Sequence, residues 1–213
     1  MTLSAGFNDF YRGWSERAQR IALHDLTDYF DKFFTLFVIY NRLYAEATFY
    51  LWRQGTISPA RTDSFPDSKA AKEYVATFLG EENIVTALES DSNTRDALGR
   101  LVAILQEGHF AISLRMPDAT PQPSRDERLL QKLQAADPVV KARAVLEFIH
   151  CIRCNTFHGS KNYDRVQIEV LLPVVTILTR VNSMLYEKLR SVEERPQQRH
   201  PAYSVTRGGS PQG

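Results

Sequence analysis

Arg153 and His158 are the pair in this chain whose types and spacing suggest chemistry first. The segment reads Arg153-Cys154-Asn155-Thr156-Phe157-His158-Gly159: an arginine, four residues, a histidine and a glycine. An imidazole exchanges a proton near neutral pH. A guanidinium is permanently charged and offers a planar fork that fits phosphate oxygens. RNA carries its own nucleophile, the 2′-hydroxyl. Arginine and histidine are therefore a sufficient set for cutting an RNA phosphodiester without a metal or cofactor. His158 would take or return the proton, and Arg153 would hold the phosphate and offset charge growing on its oxygens. Asn155 is placed to orient either group, and Lys161 to touch a flanking phosphate.

Helix geometry limits how the two can meet. Five residues of α-helix turn through about 500°, so the side chains would point about 140° apart on one regular helix. Gly159 predicts that the helix ends near Phe157, which frees His158 to swing round the terminus. A two-fold dimer is the other solution, because it brings two Arg-His sets to one cleft. The bland reading stands beside both. Cations near a helix C-terminus favour the helix dipole, and an R-x4-H spacing also arises by chance.

A second constellation overlaps the first. Cys151, Cys154 and His158 fall at i, i+3 and i+7, one face of a continuous helix, and would supply three zinc ligands. Cys-Ile-Arg-Cys also matches the C-x-x-C redox pattern, although that motif belongs at a helix start after a strand. The third reading is that both cysteines are buried as small apolar residues. His24 and His109 stand alone, as surface or capping residues.

The rest of the chain must build the frame. Its 213 residues are 43% hydrophobic and 24% charged, within the range of an ordinary globular protein of one domain. Twenty-six basic against 25 acidic residues leave a net charge of +1. That balance excludes a bulk electrostatic binder of duplex DNA while leaving room for a local basic groove. Two cysteines are too few for a disulfide framework. The run Phe33–Tyr40 is too short to span a bilayer. With no leader-like start, the expectation is a cytoplasmic protein without membrane contact.

Helical periodicity predicts an all-α bundle. Phe7, Phe10, Tyr11 and Trp14 form an amphipathic stripe. A long second helix, about 28–52, is apolar on most sides through Phe30, Phe33, Phe34, Phe37, Ile39, Tyr40 and Tyr44, and belongs at the centre. The clustered Asp25, Asp28 and Asp31 suit its N-terminus. Residues 55–66 read as a loop. Shorter helices follow over about 68–79, 81–89 and 93–106, with Gly80 and Gly108 as stops. Residues 116–124 read as a proline-rich loop and 126–136 as helix. Asp137-Pro138 then opens the helix that ends in the Arg-His segment. A last helix, about 164–192, carries Pro173, which predicts a kink or break. Residues 195–213 read as a flexible tail whose Arg195, Arg199 and Arg207 could brush a nucleic acid.

The segment Phe148-Ile149-His150-Cys151-Ile152-Arg153-Cys154-Asn155-Thr156-Phe157-His158-Gly159-Ser160-Lys161 resembles the HEPN superfamily, with its R-x4-6-H motif and frequent F-H-G-x-K continuation. Ile39-Tyr40-Asn41-Arg42-Leu43-Tyr44 is similar to the F-N-x-L-Y segment of an earlier helix, and Glu169-Val170-Leu171-Leu172 fits the family's closing helix. The resemblance implies one helical domain over 1–194 with an unmatched insertion at 55–125. It implies a homodimer with Arg153 and His158 of both copies facing a shared cleft. It further implies a metal-independent endoribonuclease in microbial defence or a toxin-type system, with RNA as substrate and an antitoxin or regulatory protein as a further partner. Asn155 and Cys154 are the supporting positions. Cys154 stands directly after the arginine, where the family usually has a polar residue. A catalytically silent HEPN module that binds nucleotide, RNA or protein is the alternative, as is the zinc or thiol site at Cys151, Cys154 and His158.

Overall fold

The computed structural model describes residues 5–58, 65–115, 118–157 and 167–194. Of these, 82% are helical, in eight helices. In chain order they are α1 (Ala5–Arg20), α2 (Leu26–Arg53), α3 (67–79), α4 (Glu81–Ser90), α5 (Ser92–Glu107), α6 (Pro123–Leu133), α7 (Pro138–Phe157) and α8 (Gln167–Glu194). The all-α expectation is borne out.

The long second helix is the axis of the core. Phe33, Phe37, Ile39, Tyr40 and Leu43 are all at most 1% exposed, because apolar residues recur around nearly the whole circumference of α2. Its start is a capping box: the Asp25 carboxylate accepts from the Asp28 backbone N–H, and the Asp28 carboxylate accepts from the Asp25 N–H. These bonds satisfy donors that a helix terminus otherwise leaves open. The two aspartates thus have the terminal role their position suggested.

α8 packs on α2 and α5, and α7 packs on α4, α6 and α3. Asn182 of α8 donates to the Leu36 carbonyl of α2 at 2.9 Å inside the core. Tyr186 stacks on Tyr11 of α1 with ring centroids 3.6 Å apart. Residues from Phe7 to Leu189 join in one hydrophobic cluster. Gly80 turns the chain from α3 into α4 at φ +85, and a Cβ there would meet Asn83 at 2.9 Å. Gly108 ends α5 in the left-handed region, at φ +65.

Three local expectations differ from the structure. The predicted helix over 68–79 is not uniform: Asp67–Lys69 and Val75–Leu79 are α-helical, but Ala70–Tyr74 between them is a π-helix. The predicted loop over 116–124 contains one strand of a short hairpin, β2 (Thr120–Pro121), paired antiparallel with β1 (Leu114–Arg115) just before it. Arg115 pairs with Asp118 across its turn at 2.6 Å. Finally, α8 continues through Pro173 without a break. Packing against α2 and α5 outweighs the one backbone hydrogen bond that proline forfeits. By length and apolarity Gln167–Glu193 also suffices to cross a bilayer, and 56% of its most apolar window is buried inside the protein. Its place in the core accounts for that apolarity. The residues 195–213, expected as a tail, lie outside the described residues.

Asp25→Ala removes one half of the capping box. Loss of an N-cap costs about 1 kcal/mol, so the urea midpoint is expected to fall while the slope of the transition stays the same.

Candidate functional site

Arg153 projects from the C-terminal part of α7 into a seam shared with α2 and the start of α3. Its guanidinium carbon lies 5.8 Å from the ring centroid of Phe37. Its Nη2 lies 3.9 Å from a carboxylate oxygen of Asp67. The Arg153 side chain is 26% exposed, so the charge sits at the edge of the bundle rather than within it. Phe37 and Tyr44 come from the same side of α2, seven residues or two turns apart. The Tyr44 hydroxyl donates to Asp67, and the Tyr40 hydroxyl donates to the Ala71 carbonyl on the π-helix. Two α2 tyrosines thereby hold the segment that brings Asp67 to Arg153. Burial, then the hydrogen bond to Asp67, raises the Tyr44 pKa, so this phenol remains a donor.

These contacts orient the guanidinium without locking it. An exposed ion pair is worth about 0–1 kcal/mol, and a cation over an aromatic ring about 0.5–2 kcal/mol, more as the contact is desolvated. Asp67 is 56% exposed, so the ion pair takes its small figure. A phosphate offering two oxygens to the fork makes a stronger contact than one distant carboxylate oxygen.

His150 lies one turn before Arg153 on the same face of α7. Its Nε2 is 3.6 Å from the Cys154 sulfur. Its Nδ1 is buried and has no hydrogen-bond partner. Burial lowers the imidazole pKa, and the charges of Lys72 and Arg153 lower it further against smaller opposing effects of Asp67 and Glu147. The ring is therefore neutral at pH 7.

Asn155 is not beside Arg153. It is two residues on, about 200° round the helix, and buried. Its side-chain amide donates to the Ile112 carbonyl at 2.8 Å. The expected orienting role toward Arg153 therefore gives way to a structural one, in which Asn155 ties the segment after α5 onto α7. Nearby, Phe110, Ile152, Asn155, Thr156, Gln167, Val170 and Leu171 line a shallow recess, with no acid, base or thiol among the described residues that line it. Cys154 faces His150 rather than the Asp67 carboxylate. Burial, then the charge of Glu147, pushes the Cys151 thiol up to about 11. Since the thiolate is the reactive form, this opposes a redox role and favours packing. Among the described residues, no three His, Cys, Asp or Glu side chains are grouped to hold a metal.

His158 and Lys161 lie outside the described residues, as does the rest of 158–166. The described part of α7 runs to Phe157. Sequence reasoning missed Phe37, Asp67 and Lys72 as neighbours of Arg153 and His150. Tyr44 had a signal, since it belongs to the segment that matched a family pattern. Asp67 and Lys72 had none, because only the approach of α3 to α7 makes them neighbours. No family profile, curated protein or solved structure matches this chain.

Two outcomes follow from the titrating groups. The His150 pKa is lower folded than the ordinary 6.5. The unfolded chain therefore binds the proton first, and stability present above about pH 6.5 is lost as pH falls toward the lowered folded value. His150→Gln is expected to flatten that acid limb in urea titrations between pH 7 and 5. The Cys151 thiol, at about 11 in the fold against an ordinary 9.0, holds far less thiolate at neutral pH than a solvated cysteine. Its alkylation by iodoacetamide is expected to be about a hundredfold slower in the folded protein than in the unfolded chain, a ratio that mass spectrometry of the labelled peptide measures.

Proposed function

We propose that this chain is a metal-independent endoribonuclease of the HEPN type, acting as a homodimer in a microbial defence or toxin-type setting. The observation that carries the proposal is the placement of Arg153. A guanidinium stands at the edge of the bundle, near the described end of α7, over the ring of Phe37 and 3.9 Å from a carboxylate oxygen of Asp67. His158 follows five residues later, just beyond the described end of α7 at Phe157.

In this reading Arg153 binds the non-bridging oxygens of the scissile phosphate. His158 takes the proton of the neighbouring 2′-hydroxyl, and the 2′-oxygen attacks phosphorus. The bond from phosphorus to the 5′-oxygen breaks, and that oxygen receives a proton. The products carry a 2′,3′-cyclic phosphate and a free 5′-hydroxyl. Two copies provide two imidazoles in one cleft, one to remove the first proton and one to return the second. Lys161 contacts a flanking phosphate, and an antitoxin or regulatory protein would cover the cleft.

One observation favours a second reading, a silent module that binds nucleotide, RNA or protein: a carboxylate, Asp67, already stands beside the arginine. RNA binding without new ends would identify that module. Under the first reading, His158→Ala lowers cutting by about 10²–10⁴-fold with an unchanged circular dichroism spectrum. Arg153→Lys restores only part of the loss in Arg153→Ala, since a point charge lacks the fork. EDTA leaves the rate intact, and the double variant Cys151→Ser, Cys154→Ser still cuts. Parent-like cutting by His158→Ala defeats the assignment.

A further inference from the structure

His150 and Cys154 stand four residues apart on α7, so their side chains are neighbours on one face of the helix. The His150 Nε2 lies 3.6 Å from the Cys154 sulfur. Both residues are partly exposed, so the pair is set at the surface of the bundle rather than sealed inside it. As a hydrogen bond the contact is weak, because a thiol is a poor donor and a poor acceptor. As a pair of metal ligands it is well spaced. Zinc binds thiolate sulfur at about 2.3 Å and imidazole nitrogen at about 2.0–2.1 Å, and a tetrahedral angle between those bonds separates the two ligand atoms by about 3.5 Å.

We propose that the His150 Nε2 and the Cys154 sulfur form a two-ligand site for a divalent transition ion that accepts both sulfur and nitrogen, zinc in a cell, with water completing the tetrahedron. Binding makes one bond to nitrogen and one to sulfur, the thiol proton leaves to solvent, and no oxidation state changes. The neutral imidazole, which burial favours at position 150, is the form that ligates. Cys151 is no third ligand. It is one residue from His150, about 100° round the helix, and packs against the hydrophobic core. The site therefore differs from a grouping of both cysteines with His158. Structural zinc takes four protein ligands, so two make a weak, exchangeable site. The ring's other nitrogen, Nδ1, is buried without a hydrogen-bond partner, and such outer support of a ligating histidine is worth about 10–100-fold in affinity. Arg153, on the same face, repels a dication and weakens binding further. The site stands apart from the ribonuclease reading, since the ion takes part in no step of the cutting.

Cobalt(II) is the probe, because zinc has no visible spectrum, whereas a cobalt–thiolate bond gives a near-ultraviolet charge-transfer band that water and imidazole ligands do not. The reduced full-length chain is titrated with cobalt, and zinc is then added in competition. A saturable band that zinc bleaches is expected. Cys154→Ser is expected to abolish the band, and His150→Gln to weaken cobalt binding at least about tenfold. Cys151→Ser is expected to keep the band and the affinity of the parent. Zinc is expected to raise the melting temperature of the parent and of Cys151→Ser but not of Cys154→Ser, as a ligand of the native state must. Circular dichroism identifies any variant that fails to fold, and Cys154→Ala or His150→Asn then takes its place. The site is overturned by a parent without a saturable band, by His150→Gln binding cobalt like the parent, or by loss of the band in Cys151→Ser. None of these outcomes touches the roles of Arg153 and His158.

Discussion

The seam between α2, α3 and α7 is governed by one requirement: a permanently charged guanidinium must be compensated where it leaves the apolar core. Arg153 cannot shed its proton, and burying an unpaired charge is costly. The protein answers with the face of Phe37 and the carboxylate of Asp67. Neither is a tight clamp. The arginine is held in direction at the edge of the bundle.

Much of the surrounding architecture serves that placement. α2 is the buried axis, and its Tyr40 and Tyr44 are the posts to which α3 is tied. Buried Ala70, Ala71 and Tyr74 pack the π-turn into the core, and the two hydroxyls add hydrogen bonds to Ala71 and Asp67. Ion pairs from Lys141 to Glu89 and from Arg143 to Glu81 hold α7 on α4. Asn155 holds the segment after α5 from the opposite face. α7 is therefore tied to its neighbours near both ends, by the two ion pairs at its start and by Asn155 near its described end. Cys151 and Cys154 fit into this bracing, the first as a buried apolar residue with a poorly ionised thiol and the second as a neighbour of His150.

Features set by neighbours in sequence were readable from the chain. The apolar girdle of α2, the Asp25–Asp28 cap and the stops at Gly80 and Gly108 depend on residues within about two turns of one another. Propensity rules failed where packing overrode them. Pro173 breaks no helix because α8 is clasped by α2 and α5. The π-turn at Ala70–Tyr74 has no local signature, since its residues would form an ordinary α-helix equally well. The pairing of β1 with β2 was hidden within a proline-rich stretch. Asn155 looked like an orienting group beside Arg153 because the two are close in sequence. Its partner, Ile112, is 43 positions away.

The chain by itself determined the all-helical character, the helix that carries Arg153, and the presence of an arginine and a histidine five residues apart. Those properties follow from periodicity, capping and residue chemistry, which act over short stretches. Tertiary structure decided which groups surround the guanidinium: Phe37 beneath it, Asp67 beside it, His150 one turn away and Lys72 across the seam. Electrostatics and hydrogen bonding act through space, and Asp67 and Arg153, 86 positions apart, meet because the buried face of α3 and two tyrosines of α2 set α3 against α7.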